Sequence, residues 1–157
     1  MTQTASAAQL APPAPSLSSE SGSLAQDLVE AYLAVRNETE RRAAPLSAED
    51  QLIQSMPDAS PAKWHRAHTT WFFEQFLLSE HCAGYRPFHP DYAFLFNSYY
   101  VAAGARNALP KRGLLARPDA AEVARYRAHV DDAVASLLVA SAPDRRGGEM
   151  ADVIAVL

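Results

Sequence analysis

Apolar residues recur every three or four positions near the start of the chain, which is the spacing of one helix face. Residues 24–42 are predicted to form the first helix, with Ser23 at its N-cap position. Its apolar face consists of Leu24, Leu28, Ala31, Tyr32 and Val35. Further on, Ser47 and Asp50 predict a short helical turn, because side chains three apart can cap each other's backbone N–H groups.

Two further stretches show the same spacing. A second helix is predicted to begin at Ser60-Pro61, with proline in its favoured first turn, and to end near 79–81. Asp119 is the predicted cap of a third helix, residues 120–141. One side of this helix carries Val123, Tyr126, Arg127, Val130, Val134, Leu137 and Leu138.

A long segment, residues 85–118, connects the second and third helices and is rich in aromatic residues and proline. We expect a short helix within residues 91–103. Residues 149–157 begin a fourth amphipathic helix that stops at Leu157 without a C-cap. No stretch has a convincing strand pattern. The sequence therefore predicts an all-α four-helix bundle, with a long connection between the second and third main helices and a fourth helix cut short.

Two regions are predicted along the chain. Residues 1–22 are small, polar and rich in proline, so they cannot bury enough apolar surface to order themselves and are predicted to form a disordered tail. Residues 23–157 are long enough for one helical domain with its own core. Since the fourth helix is short, we expect this domain to be incomplete, and its uncovered apolar faces would favour self-association.

Composition excludes several classes of function. The chain is 48% hydrophobic and 20% charged with a net charge of −4, which argues against nucleic-acid binding. Its one cysteine, Cys82, rules out an intrachain disulfide and favours a reducing compartment. No segment approaches the roughly 18 apolar residues that span a membrane, and no signal peptide is recognisable. We expect a cytoplasmic protein that binds neither nucleic acid nor membrane.

Two histidines, His65 and His68, lie among aromatic residues in the second helix. On a helical projection His68 falls at the centre of the predicted buried arc and His65 near its edge. The residues placed on the opposite, outer side are Lys63, Arg66, Thr70, Phe73, Glu74 and Leu77. His68 is either a hydrogen-bonded core histidine or a metal ligand that needs partners from other helices. A site made by the two histidines alone would be strained.

Three segments together resemble one family: "QSMPDASPAKWHRAHTTWFFEQFLL", "YRPFHPDYAFLFNSYY" and "PKRGLLARPDAAEVARYRAHVD". In this order and spacing they are similar to the N-terminal domain of the ergothioneine-biosynthesis sulfoxide synthases, also called hercynine oxygenases or the EgtB family. The resemblance runs from about residue 26 to the end of the chain. It implies a DinB-like four-helix bundle, in agreement with the helical pattern.

The resemblance also implies a cofactor and a reaction. In the family, non-haem Fe(II) is held by three histidines, and the one in the "AH" of the second helix matches His68. The other two form an H-x-x-x-H pair on the fourth helix, which this chain does not contain. The enzyme uses O2 to join the sulfur of cysteine or γ-glutamylcysteine to hercynine, giving a sulfoxide. A C-terminal domain like that of formylglycine-generating enzymes is absent too, so we expect an inactive fragment with no catalytic residue.

A basic stretch, "GARNALPKRGLLARP", carries Arg106, Lys111, Arg112 and Arg117. In the family this connection lies near the thiol co-substrate, whose carboxylates suit arginine. Arg106 is the candidate for that contact, and a solvated basic loop is the alternative. Tyr99 and Tyr100 either line the site or serve in packing.

Two other functions stay open. A related ovothiol or selenoneine synthase would use the same iron ligands and differ in the missing domain. A metal-free helical bundle serving as an interaction or structural module would need no further ligands.

Overall fold

Three long helices and a folded connection make up the part of the chain that the computed structural model describes, residues 17–141, with side chains from residue 25. Helix α1 is Leu17–Ala43 and α2 is Ala62–Phe73. A π-helical turn, Glu74–Leu78, continues α2 into the short α3, Ser79–His81. The remaining α-helices are α4, Tyr92–Leu95, and α5, Ala120–Ser141. Short 3-10 turns lie at Asp50–Leu52, Val101–Ala103 and Leu109–Leu114.

The all-α prediction is confirmed for the described residues, which contain no strand. Helix α5 has the predicted bounds. The four-helix arrangement is not confirmed, because the described residues form five α-helices and the predicted fourth helix, 149–157, lies outside them. None of the described helices combines the length and hydropathy needed to cross a membrane.

The start of the first helix was predicted wrongly. Helix α1 begins at Leu17, seven residues before the predicted start, so Ser23 lies inside it and is not its cap. Residues 17–22 therefore belong to this helix, although they were assigned to the disordered tail. Serine and glycine are weak helix formers, which is why this segment did not look helical. Residues 1–16 lie outside the described residues.

Two predicted local caps are present. Ser47 and Asp50 exchange hydrogen bonds, each side chain accepting from the other's backbone N–H at 3.1 Å. Asp119 accepts from the backbone N–H of Glu122 at 2.7 Å, and this bond holds the pKa of the Asp119 carboxyl below its usual value. Both caps use residues three apart, so they need no tertiary partner to form.

Helix α2 lies between α1 and α5 on one side and the connection on the other. Its large buried rings are Trp64 and Trp71. They belong to a core that includes residues from all these elements: Tyr32, Trp64, Ala67, Trp71, Leu77, Leu78, Tyr92, Phe96, Val123, Tyr126, Val130, Val134 and Leu138.

The predicted outer side of the second helix, which the structure divides into α2, the π-helical turn and α3, is wrong. Lys63, Arg66, Thr70, Glu74 and Leu77 are all buried. The polar members of this side are buried because α1, α5 and the connection bring hydrogen-bonding partners to them. Burying a charged group is tolerated when it is paired and hydrogen-bonded.

Three buried arginines between α1, α2 and α5 illustrate this pairing. Arg66 binds the Glu40 carboxylate at 2.5 Å, and Arg127 binds the same carboxylate at 2.5 Å. Arg36 pairs with Asp131 at 2.7 Å. Burial lowers the pKa of Arg127 to about 10, with the neighbouring Arg36 as the next cause. Each of these arginines thus has a carboxylate within ion-pair distance.

The connection is held against α2 by buried polar side chains. The Lys63 ammonium donates to the carbonyls of Leu115 and Pro118, both at 2.7 Å, and more weakly to that of Ala116. The Trp64 indole N–H donates to the Leu95 carbonyl at 3.0 Å. These bonds place the middle of the connection over one face of α2, where the candidate site lies.

Candidate functional site

An open pocket of about 580 Å³ lies between α2 and the connection. Both histidines of α2 line it, together with the tyrosine pair of the connection. Its lining residues are Asp58, Ala59, Ser60, Trp64, His65, His68, Ser98, Tyr99, Tyr100, Leu109 and Arg112. The pocket therefore brings together three residues from "KWHRAH" and three from "FNSYY".

One ring nitrogen of His68 is already used by the protein. Nδ1 lies 2.7 Å from the carbonyl oxygen of Phe96. Because a carbonyl only accepts, Nδ1 must carry the proton, and in a neutral imidazole Nε2 then has a free lone pair. Burial lowers the pKa of the half-buried His68, which favours this neutral form. A backbone carbonyl in this role is typical of histidines that bind metals through the other nitrogen.

Two indole rings fix the plane of the His68 imidazole. The Trp64 ring stacks on it with 4.7 Å between centroids and 14° between planes, and the Trp71 ring stacks on it at 5.5 Å and 18°. The Phe96 carbonyl sets the rotation of the ring within this stack. His68 is thus held in one orientation by three contacts, which is how a protein preorganises a ligand side chain.

His65 is held less closely. It is the more exposed of the two histidines, and its ring meets Trp64 edge-on at 5.6 Å between centroids. Partial burial and then the nearby Arg112 guanidinium lower its pKa. The structure thus distinguishes the two histidines in the order predicted, although His68 is half-buried rather than central in the core.

The segment that supplies the Phe96 carbonyl is shaped by a buried asparagine. The Asn97 amide donates to the carbonyls of Tyr100 and Gly104 across a turn. Gly104 has a φ of 100°, in the region that glycine adopts without strain. Tyr99 and Tyr100 are exposed and line the pocket, and the Tyr100 ring also packs against Trp71, Phe72 and Phe76.

Arg112 is the one cation among the pocket's lining residues, and it is buried. Its guanidinium carbon lies 3.6 Å from the centroid of the Trp64 ring. Nη1 donates to the Ser60 hydroxyl at 2.9 Å and Nη2 to the Ser98 hydroxyl at 3.2 Å. Desolvation by burial lowers its pKa. The sequence showed Arg112 only as one of four basic residues, and nothing in the local pattern marked it as buried.

Arg106 lies beside the pocket and is not one of its lining residues. It is exposed, its Nη1 lies 3.4 Å from the Ser98 carbonyl, and its guanidinium carbon lies 6.0 Å from the centroid of the Tyr99 ring. Since Ser98 and Tyr99 both line the pocket, Arg106 is next to its rim.

No group of three or more histidine, cysteine or carboxylate side chains suited to a metal occurs within residues 25–141, where side chains are described. His129 is exposed and packs near Tyr85 and Phe88, away from the pocket residues. Among the described residues, His68 is therefore a single candidate metal ligand, with Nε2 as the nitrogen that could bind the metal.

The comparisons with known proteins place the chain at the level of a superfamily. No match was found among curated proteins. A family model described as "DinB superfamily" matches residues 31–151, well over half of the chain. This match covers α1 from residue 31 onward, all of α2 and α5, and every residue of the pocket. The chain belongs to the DinB superfamily.

Proposed function

We propose that this chain is the iron-binding N-terminal domain of a non-haem Fe(II) sulfoxide synthase of ergothioneine biosynthesis. The observation that carries the proposal is the state of the pocket-lining His68, whose Nδ1 is held by the Phe96 carbonyl while Nε2 has no hydrogen-bond partner among the described residues. The segments that position this ring are those that resemble the synthase family. The proposed substrates are O2, hercynine and a thiol, either cysteine or γ-glutamylcysteine, and the proposed setting is the cytoplasm.

The described residues fit one position of such an iron site. His68 suits this position because its proton is on Nδ1, its neutral form is favoured and its ring plane is fixed. The other two ligands would be the H-x-x-x-H pair of the family. When bound, an iron ion with open positions would admit O2 and a thiolate. The part played by this chain's residues is to orient one imidazole and to form one wall of the substrate pocket.

The 157-residue chain is expected to bind Fe(II) weakly and to form no sulfoxide. It has five histidines, of which one is a prepared ligand, and a single imidazole holds a metal poorly. Anaerobic Fe(II) titration and mass spectrometry of products from hercynine, O2 and each thiol would measure this. A longer protein that carries the H-x-x-x-H pair should bind one Fe(II) per chain. If that longer protein also fails to bind iron, the proposal is wrong.

Arg106→Ala is expected to raise the KM for the thiol more than the KM for hercynine in the full-length enzyme. Removing a charged hydrogen bond to a substrate carboxylate should cost about 1.5–3 kcal/mol. Arg117→Ala is the matched control, because Arg117 is an exposed arginine paired with Asp119. Steady-state kinetics with each substrate varied in turn would test this. An unchanged KM for the thiol would remove Arg106 from the proposed site.

A metal-free interaction module is the second candidate. It is favoured by an exposed apolar groove of about 590 Å³ that includes Ile53, Met56 and Leu114, since contiguous exposed apolar surface often marks a docking site. The DNA downstream of codon 157 would separate the candidates. An open frame encoding the H-x-x-x-H pair favours the synthase, or the related ovothiol and selenoneine enzymes, whereas a stop codon favours the module.

A further inference from the structure

Arg112 is a buried cation without an anionic partner among the described residues. Its side chain is 4% exposed, yet it forms no ion pair with a described carboxylate. Its Nε–H has no acceptor there either. A buried charge is expensive unless it is paired, so this arrangement needs an explanation.

The other buried cations among the described residues have either a carboxylate for their charge or an acceptor for each donor. Arg36, Arg66 and Arg127 each have a carboxylate within 2.7 Å. The Lys63 ammonium has three N–H donors and three backbone carbonyls around it. Arg112 has five N–H donors and two acceptors among the described residues, both of them serine hydroxyls. Among the described buried cations, Arg112 is therefore the one that has neither a carboxylate partner nor an acceptor for each of its donors.

Its surroundings suit an anion that approaches in the plane of the guanidinium. Trp64 covers one face of that plane at 3.6 Å. The hydroxyls of Ser60 and Ser98 accept from Arg112, and each can still donate its own proton to a ligand. All three polar groups line the pocket. Two planar oxygens of a carboxylate match a guanidinium fork better than a spherical anion does.

The charges around the pocket also favour the binding of an anion. Burial is the main cause that lowers the pKa of Arg112, and the charge of the nearby Arg106 lowers it further, so the two cations repel each other when no anion is bound. Asp58 is the one acidic residue of the lining, and it is exposed and forms no described ion pair with Arg112. A bound anion would relieve the repulsion between the two arginines.

We propose that Arg112, with the hydroxyls of Ser60 and Ser98, forms a carboxylate-binding subsite in the pocket beside His68. The identification of the bound group as a substrate carboxylate rests on the proposed function, because both the thiol and hercynine are amino acids or their derivatives and carry a carboxylate. The subsite itself requires no metal. Arg106, at the rim, is distinct from it and remains the candidate for a second contact.

Titration of the ¹⁵N-labelled, metal-free chain with propionate tests the subsite directly. The Arg112 Nε–H resonance, identified by its absence from the Arg112→Gln spectrum, should shift saturably. Propionamide has nearly the same shape without the charge and should leave it unmoved. Arg112→Gln should weaken propionate binding about tenfold or more, as expected for loss of a charged hydrogen bond. Arg117→Gln makes the same change of charge at an exposed arginine and should bind propionate as the unmodified chain does.

Three results would overturn the proposal: an Arg112 resonance that propionate does not move, equal shifts with propionamide, or tighter binding of inorganic phosphate than of propionate. If Arg112→Gln does not fold, Ser98→Ala provides the variant, because it keeps the cation and should weaken propionate binding several-fold. No iron enters this titration. Saturable binding of propionate together with failure of the longer protein to bind Fe(II) would retain the subsite and reject the synthase.

Discussion

Replacing His68 with alanine is expected to abolish stoichiometric Fe(II) binding by a protein that carries the complete ligand set, whereas His65→Ala should leave most of it. His68 has an Nε2 without a hydrogen-bond partner among the described residues, on a ring fixed by the Phe96 carbonyl and two indoles. His65 has one edge-on ring contact and a more exposed side chain. Loss of one of three ligands should lower the affinity for Fe(II) by orders of magnitude, because the remaining two ligands no longer close the site.

Anaerobic titration with Fe(II), followed by measurement of iron retained after gel filtration, would compare the two variants. Circular dichroism and thermal melting of each variant would show that the helices remain folded. Equal loss of iron in the two variants, with both folded, would refute the assignment. His65→Ala serves as the matched control because it removes an imidazole from the same helix and the same pocket.

Glu74→Ala is expected to lower the free energy of unfolding by about 3–5 kcal/mol. The Glu74 carboxylate is 1% exposed and accepts from the hydroxyls of Tyr85 and Tyr126 and from the backbone N–H of Phe88. Burial and the neighbouring carboxylate raise the pKa of both tyrosines above the usual value, so both remain donors. Alanine would leave three donors unpaired and a cavity beside them.

Chemical denaturation of Glu74→Ala, Glu74→Gln and Glu80→Ala would test this. Glu80 is exposed in the adjoining α3, so its replacement should change stability by about 0.5 kcal/mol or less. Glutamine keeps one oxygen acceptor and should cost less than alanine. A loss below about 1 kcal/mol for Glu74→Ala would mean that water or other groups replace the carboxylate.

The sequence predicted the local features of the fold well because their causes are local. The bounds of α5, the Asp119 cap and the Ser47–Asp50 turn each depend on residues a few positions apart. The start of α1 was missed because serine and glycine there lower the helix propensity. The π-helical turn Glu74–Leu78 had no sequence pattern that distinguished it from continuous α-helix.

The candidate site was predictable only in part. The "WHRAH" spacing and the family resemblance led to His68, which the structure places at a pocket. Arg106 was chosen from a basic stretch, and the structure places it at the rim. Arg112 in the same stretch was not singled out, because its burial depends on Trp64, Ser60 and Ser98, between 14 and 52 residues away.

The sequence by itself determined that the described residues are helical and where α1 and α5 end, and it predicted His68 rather than His65 as the metal ligand. Only the tertiary structure decided which sides of α2 are buried. A projection that assumes polar residues face water put Arg66, Thr70 and Glu74 outside. They are inside because Glu40, Arg36 and Tyr126, from α1 and α5, pair with them. Burial of a polar side chain depends on its partner, and the partners here are distant in sequence.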